Sequence, residues 1–410
     1  MLAFGLVAAM AVGSGAQAQT QYTPSVLLSQ RYDSNVYTTA DKFVPQGHQS
    51  WDLITRLGAD FDILNKSRLG DTSLHAAVDG NAYAYNSNLT YASTNVIAKS
   101  DLTDWAQEVL PGLQLRISDA FRFTPQQPSF SYAAATPQSG GVPQPSAGFT
   151  SGLQGARANS YANKVSTEGD YSFSRSAGLR ANYSYSTIHY GRLYVPLAAT
   201  NPTFNYWNTN IHNAAIGPTF TLDGGDTIFL KFAYLNSHQT NTAGTTPPRT
   251  FSAYSVQPEY VSKIFLDWTA RISAGATIVE QQANKTFFSG NFSLTNDFDR
   301  QTRVSIEVSR QITPAFIAVG GAVVSNIAQL YVSHSFSQVI SLTVRGGLAH
   351  NEATPVKVFT QEITNGIATL DYNLTRSIKL SLSQEYIHYN LSGVPNYDKL
   401  VTMLAASTEW

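Results

Sequence analysis

The chain has 410 residues, and only 13% of them are charged, about half of the ~25% typical of soluble domains. Its 26 basic and 27 acidic residues give a formal net charge of −1, which excludes the broad basic surface of a nucleic-acid-binding protein. The absence of cysteine excludes disulfides and cysteine nucleophiles, and a mean hydropathy of −0.15 is too polar for a bundle of membrane helices. A transmembrane β-barrel accounts for this composition, because its apolar residues alternate with polar ones instead of forming runs.

The N-terminus has the features of an export signal. An apolar stretch, Leu2–Val12, precedes Ala16-Gln17-Ala18, which is a small-residue cleavage site. The stretch is shorter than a helical membrane span needs, so an N-terminal anchor is the less favoured alternative. We predict a signal peptide at residues 1–18 and a single mature domain at residues 19–410.

The body of the chain alternates with a period of two residues. Between Trp51 and Ile63 the odd positions are mostly apolar, and the even positions carry four charges. Because successive side chains of a strand point to opposite faces, this pattern predicts a strand with one apolar face. The same period recurs in residues 179–186, 268–278, 302–309, 340–348 and 378–383.

Short and long connections alternate along the chain. Short polar turns are predicted at residues 65–67, 174–176, 223–226, 262–263, 296–300 and 373–376, and longer segments at 38–49, 125–160, 191–206, 237–250 and 390–396. Short periplasmic turns and long outer loops are typical of outer-membrane barrels. The sequence predicts an all-β fold, a transmembrane antiparallel β-barrel of 18 strands, with 16 strands as the alternative. The strand count includes predicted strands at Asn95–Val109 and Val324–Phe336.

One charge-free segment admits a different interpretation. Ala315–Val324 is wholly apolar apart from glycine, as a membrane helix would be. Pro314 and the Gly320-Gly321 pair disfavour a helix, and the run is too short to span a bilayer. We predict a loop and barrel strands here.

The chain ends on an aromatic residue. Trp410 follows Leu400, Thr402 and Leu404, which continue the two-residue period. An aromatic residue at the end of an amphipathic last strand predicts an insertion signal, with the barrel-insertion machinery and outer-membrane lipid as partners.

If the apolar faces meet lipid, the opposite faces meet the lumen. Charges there are stable in a water-filled channel, and barrels of 16 to 18 strands are wide enough to hold one. The alternative is that the charges pair across a plugged interior. The residues predicted to line the pore are Asp52, Arg56, Asp60, Asp62, Asp79, Arg116, Arg122, Lys164, Glu168, Asp170, Arg180, Lys231, Arg271, Arg303, Glu307, Arg345, Lys379 and Glu385.

Loops and aromatic residues add two further expectations. The segment Pro125–Ser160 is rich in proline and glycine, and it either folds into the lumen or covers the mouth. Tyrosines near strand ends predict an aromatic girdle, with sugar stacking in the lumen as the alternative: Tyr83, Tyr85, Tyr190, Tyr194, Tyr206 and Tyr389.

No known catalytic motif is present. The chain lacks a G-x-S-x-G elbow, an H-E-x-x-H motif and a phosphate-binding glycine loop, and its eight histidines lack metal-ligand spacing. We therefore expect no enzyme, no cofactor and no metal site.

The first predicted strand carries the most distinctive motif. Its segment Tyr32-Asp33-Ser34-Asn35-Val36-Tyr37 resembles the start of a family of outer-membrane β-barrel porins, and Asp60-Phe61-Asp62 and the aromatic C-terminus are similar too. Many members of that family are associated with bacterial exopolysaccharide secretion. The resemblance implies a barrel in the outer membrane of a Gram-negative bacterium that serves as an exit for a glycan.

Three functional hypotheses follow. The first is a passive conduit for exopolysaccharide export that works with periplasmic polysaccharide-export proteins. The second is a general diffusion porin for small solutes. The third is a structural or adhesive barrel without conductance.

Overall fold

A computed structural model describes residues 19–38, 40–41, 44–124, 158–193, 205–242, 247–265, 268–281, 284–297, 301–314, 317–318, 321–354, 360–392 and 394–410. The predicted signal peptide and nearly all of the segment 125–160 lie outside these residues. The strands are β1 (Gln19–Asp33), β2 (Asp52–Ser67), β3 (Gly70–Tyr83), β4 (Tyr91–Asp101), β5 (Leu113–Thr124), β6 (Ala158–Ser172), β7 (Ala177–Leu193), β8 (Asn205–Thr221), β9 (Thr227–Asn241), β10 (Arg249–Ile264), β11 (Trp268–Glu280), β12 (Lys285–Asp297), β13 (Thr302–Pro314), β14 (Ile317–Ala318), β15 (Ala322–Ser335), β16 (Ile340–Thr354), β17 (Thr360–Asn373), β18 (Ile378–Leu391) and β19 (Val394–Glu409). A short helix, α1 (Thr103–Val109), and a 3₁₀ turn, Ser87–Leu89, complete the described elements.

The strands form one closed antiparallel barrel. Each long strand pairs with its neighbours in the chain, and β1 pairs with β19 to close the cylinder. β14 is only two residues long and is not part of the wall, because β13 pairs directly with β15, so the barrel has 18 strands. The predicted 18-stranded barrel is confirmed, and the 16-stranded alternative is wrong. Closure pairs the strand edges around the cylinder, which is why strands can span lipid. The exception is the outer ends of β12 and β13, which are not paired with each other.

The outer surface of the barrel is apolar. Large apolar side chains at outward positions are exposed on strands all around the cylinder, for example Leu57 (60% exposed), Phe232 and Leu404. A closed strand cylinder with such an exterior is the architecture of outer-membrane proteins, because lipid covers the exposed side chains. The protein is an outer-membrane β-barrel, as the alternation predicted. Among the described helices, none is long and apolar enough to cross a membrane.

The β4–β5 connection corrects one predicted strand. Only the first part of Asn95–Val109 belongs to a strand, because β4 ends at Asp101 and α1 follows. The Asp101 carboxylate accepts the backbone N–H of Thr103, which starts the chain into a helical turn. The other predicted strand in question, Val324–Phe336, is confirmed as β15.

The hairpin formed by β13 and β15 turns inward at its outer end. Ala322, Val323 and Val324 are all buried, although successive residues of a wall strand should alternate between lumen and lipid. The tip reaches across the barrel, since β14 pairs with the start of β8, and four strands separate β8 from β13 in the sheet. The apolar segment that could be read as a membrane helix therefore contributes to a hairpin that enters the outer half of the lumen.

Candidate functional site: the barrel lumen

The sheet register defines which side chains face inward. In every pair of strands, the residues opposite one another share a face, so the inward parity can be followed around the cylinder from β1 to β19. All of the residues predicted to line the pore occupy inward positions. Their surroundings differ strongly between the periplasmic and outer halves.

The periplasmic half of the lumen contains solvated ion pairs. Arg116 on β5 lies 3.5 Å from Asp101 and 3.8 Å from Glu168, and its side chain is 48% exposed. Arg180 Nε donates to Asp170 at 2.6 Å across the β6–β7 pair.

On the opposite part of the periplasmic half, Lys379 Nζ lies 3.1 Å from Asp371 and is similarly exposed. Asp371 is an inward residue that the sequence analysis missed. These groups are in contact with water, and such exposed pairs contribute little to stability.

A second group of charges lies on β2 and β3. Arg56 forms a 2.7 Å ion pair with Asp79, and the Ser25 hydroxyl donates to Asp60 at 3.4 Å. Asp62 lies 2.9 Å from His75 Nδ1 in a more exposed pair. Because the two strands are adjacent, this wall of the lumen carries three carboxylates and one arginine.

The wall formed by β11, β13 and β16 is lined by arginines. Arg271 lies 3.7 Å from Glu259, and Arg345 stacks over the ring of Tyr331 at 5.3 Å. Arg303 lies inward opposite Ser333.

The acidic group on that side, Glu307 on β13, accepts a hydrogen bond from Asn291 Nδ2 at 2.6 Å. Its neighbour across the β13–β15 pair is Gln329. Glu259, the acidic partner of Arg271, is a second inward residue that the sequence analysis missed.

Three of the predicted pore-lining cations stand apart from the ion pairs. Within the part of the chain that the structure describes, Arg122 on β5, Lys164 on β6 and Lys231 on β9 have no carboxylate within ion-pair distance. They lie on one side of the cylinder, across from the arginines of β13 and β16. This side therefore has a positive excess that fixed carboxylates do not neutralise.

Part of the outer half of the lumen is occupied by buried side chains. Asp52, predicted to line the pore, is 0% exposed and belongs to a structural site instead. Its carboxylate accepts the backbone N–H groups of Ala84, Tyr85 and Asn86, and Asn86 Nδ2 as well. These bonds hold the β3–β4 turn against the start of β2.

A buried ion pair was missed by the sequence analysis. Asp33, whose side chain is 2% exposed, lies 2.9 Å from Lys399 Nζ. Arg31 is near enough to interact with Asp33, and Glu385 is near enough to interact with both members of the pair. The two-residue period of the first and last strands would have found Arg31, Asp33 and Lys399, since all occupy inward positions. Of this cluster only Glu385 was predicted.

The tyrosines do not form the predicted girdle as a set. Tyr83 and Tyr389 are buried at inward positions, and Tyr190 also has inward parity. Tyr85 is exposed at the outer end, as a girdle residue would be, whereas the side chains of Tyr194 and Tyr206 lie outside the described part. The sheet register, which turns the positions of Tyr83, Tyr190 and Tyr389 inward, is what keeps them out of a girdle.

The β8–β9 turn at the periplasmic rim contains a carboxyl with a lowered pKa. The hydroxyls of Tyr260 and Ser262 donate to Asp226 in the β8–β9 turn and hold the pKa of that carboxyl below its ordinary value. Since hydrogen bonds to the charged form favour it, this turn keeps its negative charge at neutral pH. Among the described residues, no cluster of three or more histidine or acidic side chains could hold a metal ion.

Comparison with protein-family models finds no match, and comparison with curated proteins finds none either. Among solved structures, OccK1 (OpdK) of Pseudomonas aeruginosa is similar over 95% of this chain and 99% of its own, at 8% identity and a TM-score of 0.47. The siderophore receptor PirA of Pseudomonas aeruginosa is similar over 96% of this chain and 81% of its own, at 9% identity and a TM-score of 0.44. OccAB3 of Acinetobacter baumannii is similar over 95% and 99%, at 8% identity and a TM-score of 0.43. With such identities and TM-scores, what these proteins bind or carry is not transferred to this chain.

Proposed function

We propose that this barrel is a passive channel that lets small hydrophilic solutes cross the outer membrane. The observation that carries the proposal is the set of solvated ion pairs around the periplasmic half of the lumen. Arg116, Arg180 and Lys379 are each paired, yet each side chain is more than a third exposed, inside a barrel whose outer surface is apolar. Charges in such positions are favourable only where water fills the lumen.

The chemistry of this wall suits solutes that carry hydroxyls and amides. Paired charges give little net field, while their oxygens and nitrogens exchange hydrogen bonds with a passing solute. Such exchanges replace bonds to water, so the net free energy change per bond is small. A solute then moves by diffusion, without being trapped.

The outer half favours small solutes over a polymer. The inward hairpin of β13 and β15, the β3–β4 turn and the buried Asp33–Lys399 pair all occupy space inside the cylinder. A glycan chain needs a continuous wide path, whereas small solutes need only gaps between side chains. Export of exopolysaccharide, the first hypothesis from the sequence, has no support from this arrangement.

The proposal has a direct test. The full chain is reconstituted in liposomes, and swelling is followed with sugars from mono- to tetrasaccharides. We expect fast swelling with the smallest sugars and a steep decline with size. Swelling that fails for every sugar, together with silence in planar bilayers, would contradict the proposal and favour a closed export conduit or an adhesive barrel.

Membrane insertion is a second part of the proposal. Trp410 is exposed at the end of β19, next to the closing pair of β1 and β19, where its backbone N–H donates to the carbonyl of Pro24 at 3.2 Å. This position supports recognition of the final strand by the insertion machinery before the barrel closes.

A further inference from the structure

The wall of the barrel is interrupted between β12 and β13. Their ladder ends where Gly290 pairs with Arg310. Beyond that point β12 continues to Lys285 in contact with β11, and β13 continues to Pro314 in contact with β15. The outer ends of β12 and β13 are therefore each paired on one side only.

The interruption has a structural cause in the inward hairpin. Ile312 has outward parity, yet it packs against Val279 and Ala322 in a cluster inside the lumen. The Gly321 N–H donates to the buried Gln239 side chain on β9, which holds the hairpin tip inward. Because β13 bends inward above Arg310, it separates from β12.

Arg310 closes the lower end of this seam. Its Nε donates to the Phe288 carbonyl at 3.2 Å, and its Nη1 donates to Asn326 Oδ1 at 2.7 Å. In a continuous ladder the Phe288 carbonyl would accept a backbone N–H from β13. The guanidinium thus takes the place of a missing ladder bond and lies in the barrel wall.

A groove on the lipid-facing surface leads to Arg310. It has a volume of about 660 Å³, and its floor contains the small outward residues Ala274, Gly290 and Ala328. Phe288 and Leu348 are exposed beside it. A second cavity of about 200 Å³, lined in part by Phe287 and Glu352, continues from Arg310 into the seam.

The depth of Arg310 makes an anionic partner favourable. It lies eight residues above Thr302, the periplasmic start of β13. At ~3.4 Å per residue and a strand tilt of ~40°, this is about 20 Å, in the outer half of an apolar band that is ~25 Å tall. At that height, about 5 Å below the outer edge of the band, a lipid-facing arginine costs little and its long side chain can reach lipid headgroups.

Among the described residues, no carboxylate lies within ion-pair distance of Arg310. Glu362, which lines the groove, pairs with His350, and Glu352, which lines the second cavity, lies beyond that distance from Arg310. The guanidinium uses two of its five donors, and the remaining ones fit a phosphate, which accepts bidentate bonds from arginine.

From these observations we propose that the groove binds a phosphate-bearing lipid of the outer leaflet. One acyl chain lies over Ala274, Gly290 and Ala328, and the headgroup phosphate binds Arg310. The lipid covers the surface at the interruption between β12 and β13, where the two strands are no longer paired by backbone hydrogen bonds. This inference depends on the membrane location and not on the proposed transport function.

The experiment titrates the purified full chain, in detergent micelles, with diphosphorylated lipid A and with the dephosphorylated form, and measures bound lipid by native mass spectrometry. We expect the wild type to prefer the phosphorylated form by about tenfold, as for one charge-assisted interaction. Arg310→Gln should abolish this preference, and Arg310→Lys should retain part of it. Arg376→Gln, in the β17–β18 turn, is the matched control and should retain all of it.

A second pair of variants tests the acyl groove. Ala328→Trp should weaken binding of both lipids by filling the groove, whereas Ala59→Trp, at an outward position on β2, should not. The proposal is overturned if the wild type has no phosphate preference, if Arg310→Gln keeps it, or if the two tryptophan variants behave alike. Displacement of the lipid by millimolar inorganic phosphate would also overturn it, because the site would then bind a free anion.

Discussion

At the residue scale, the first-strand motif, Tyr32–Tyr37, links separate parts of the barrel through hydrogen bonds and one ion pair. The Asp33 carboxylate binds Lys399 on β19 and accepts the backbone N–H of Asn35 at 3.0 Å. Ser34 N–H donates to the Leu400 carbonyl, and the Tyr37 hydroxyl donates to Asn86. The motif thus joins the first strand, the last strand and the β3–β4 turn. Its Asp, Ser and Tyr side chains or backbone groups each supply one of these links.

The buried pair predicts a stability effect. Asp33→Asn removes the counter-charge of a buried lysine, and breaking such a pair typically destabilises by about 3–5 kcal/mol. We expect a loss of that size in the free energy of unfolding, measured by urea titration of the barrel in lipid vesicles.

Asp62→Asn is the matched control for that measurement. Its carboxylate also pairs with a basic side chain, His75, but it is 54% exposed. An exposed pair contributes at most about 1 kcal/mol. Equal losses for the two variants would show that the Asp33–Lys399 pair has no special role.

At the element scale, alternation predicted the strands well because the outward face of each strand contacts lipid and must be apolar, whereas the inward face contacts water and is polar. The inward parity of Arg56, Lys164 and Glu307 follows from sequence alone for this reason. The inward hairpin could not be predicted in the same way. It depends on contacts such as Gly321 with Gln239, which are 82 residues apart and leave no local pattern.

Helix α1 was missed for a local reason. The two-residue period of β4 already weakens here, since the even positions beyond Leu102 include Asp104 and Glu108, but the period alone does not mark where the strand ends. What ends the strand is the Asp101 carboxylate, which binds the backbone of Thr103. A hydrogen bond between one side chain and the backbone does not change the two-residue period of the sequence, so the period cannot predict it.

The hairpin predicts a gating effect on conductance. Gln239→Ala removes the acceptor of the Gly321 N–H, and a lost hydrogen bond of about 1 kcal/mol should raise the population of a displaced hairpin roughly fivefold. We expect a higher mean conductance in planar bilayers.

Gln257→Ala serves as the control for the hairpin experiment. Gln257 also faces the lumen, but its side chain donates to Ser289 on β12 and not to Gly321. The Gln257→Ala substitution should leave the mean conductance close to that of the wild type. An unchanged conductance in the Gln239 variant would mean that the hairpin does not limit the path.

At the scale of the whole molecule, the distribution of inward charge determines whether the lumen favours anions or cations. The charges near the periplasmic end are paired, and the group on β2 and β3 has three carboxylates against one arginine. Arg122, Lys164 and Lys231, in contrast, have no carboxylate within ion-pair distance among the described residues. The sequence predicted these side chains as a mixed set of lumen charges. It could not separate paired from unpaired ones, since pairing depends on which strands become neighbours and at what depth.

This imbalance leads to a prediction about ion selectivity. Lys164→Glu and Lys231→Glu each replace an unpaired cation with an anion, and a charge within ~4 Å of a passing ion changes its free energy by about 1 kcal/mol in water. We therefore expect the anion-to-cation permeability ratio to fall by roughly threefold to fivefold per substitution, measured as a shift of reversal potential in a potassium chloride gradient. The shift should shrink at high salt, because the Debye length falls to ~3 Å at 1 M. Arg376→Glu in the periplasmic turn makes the same charge change outside the lumen and should move the reversal potential little. Reversal potentials that are the same for all three variants would show that Lys164 and Lys231 do not line the conducting path, and the inward register of β6 and β9 would then have no part in transport.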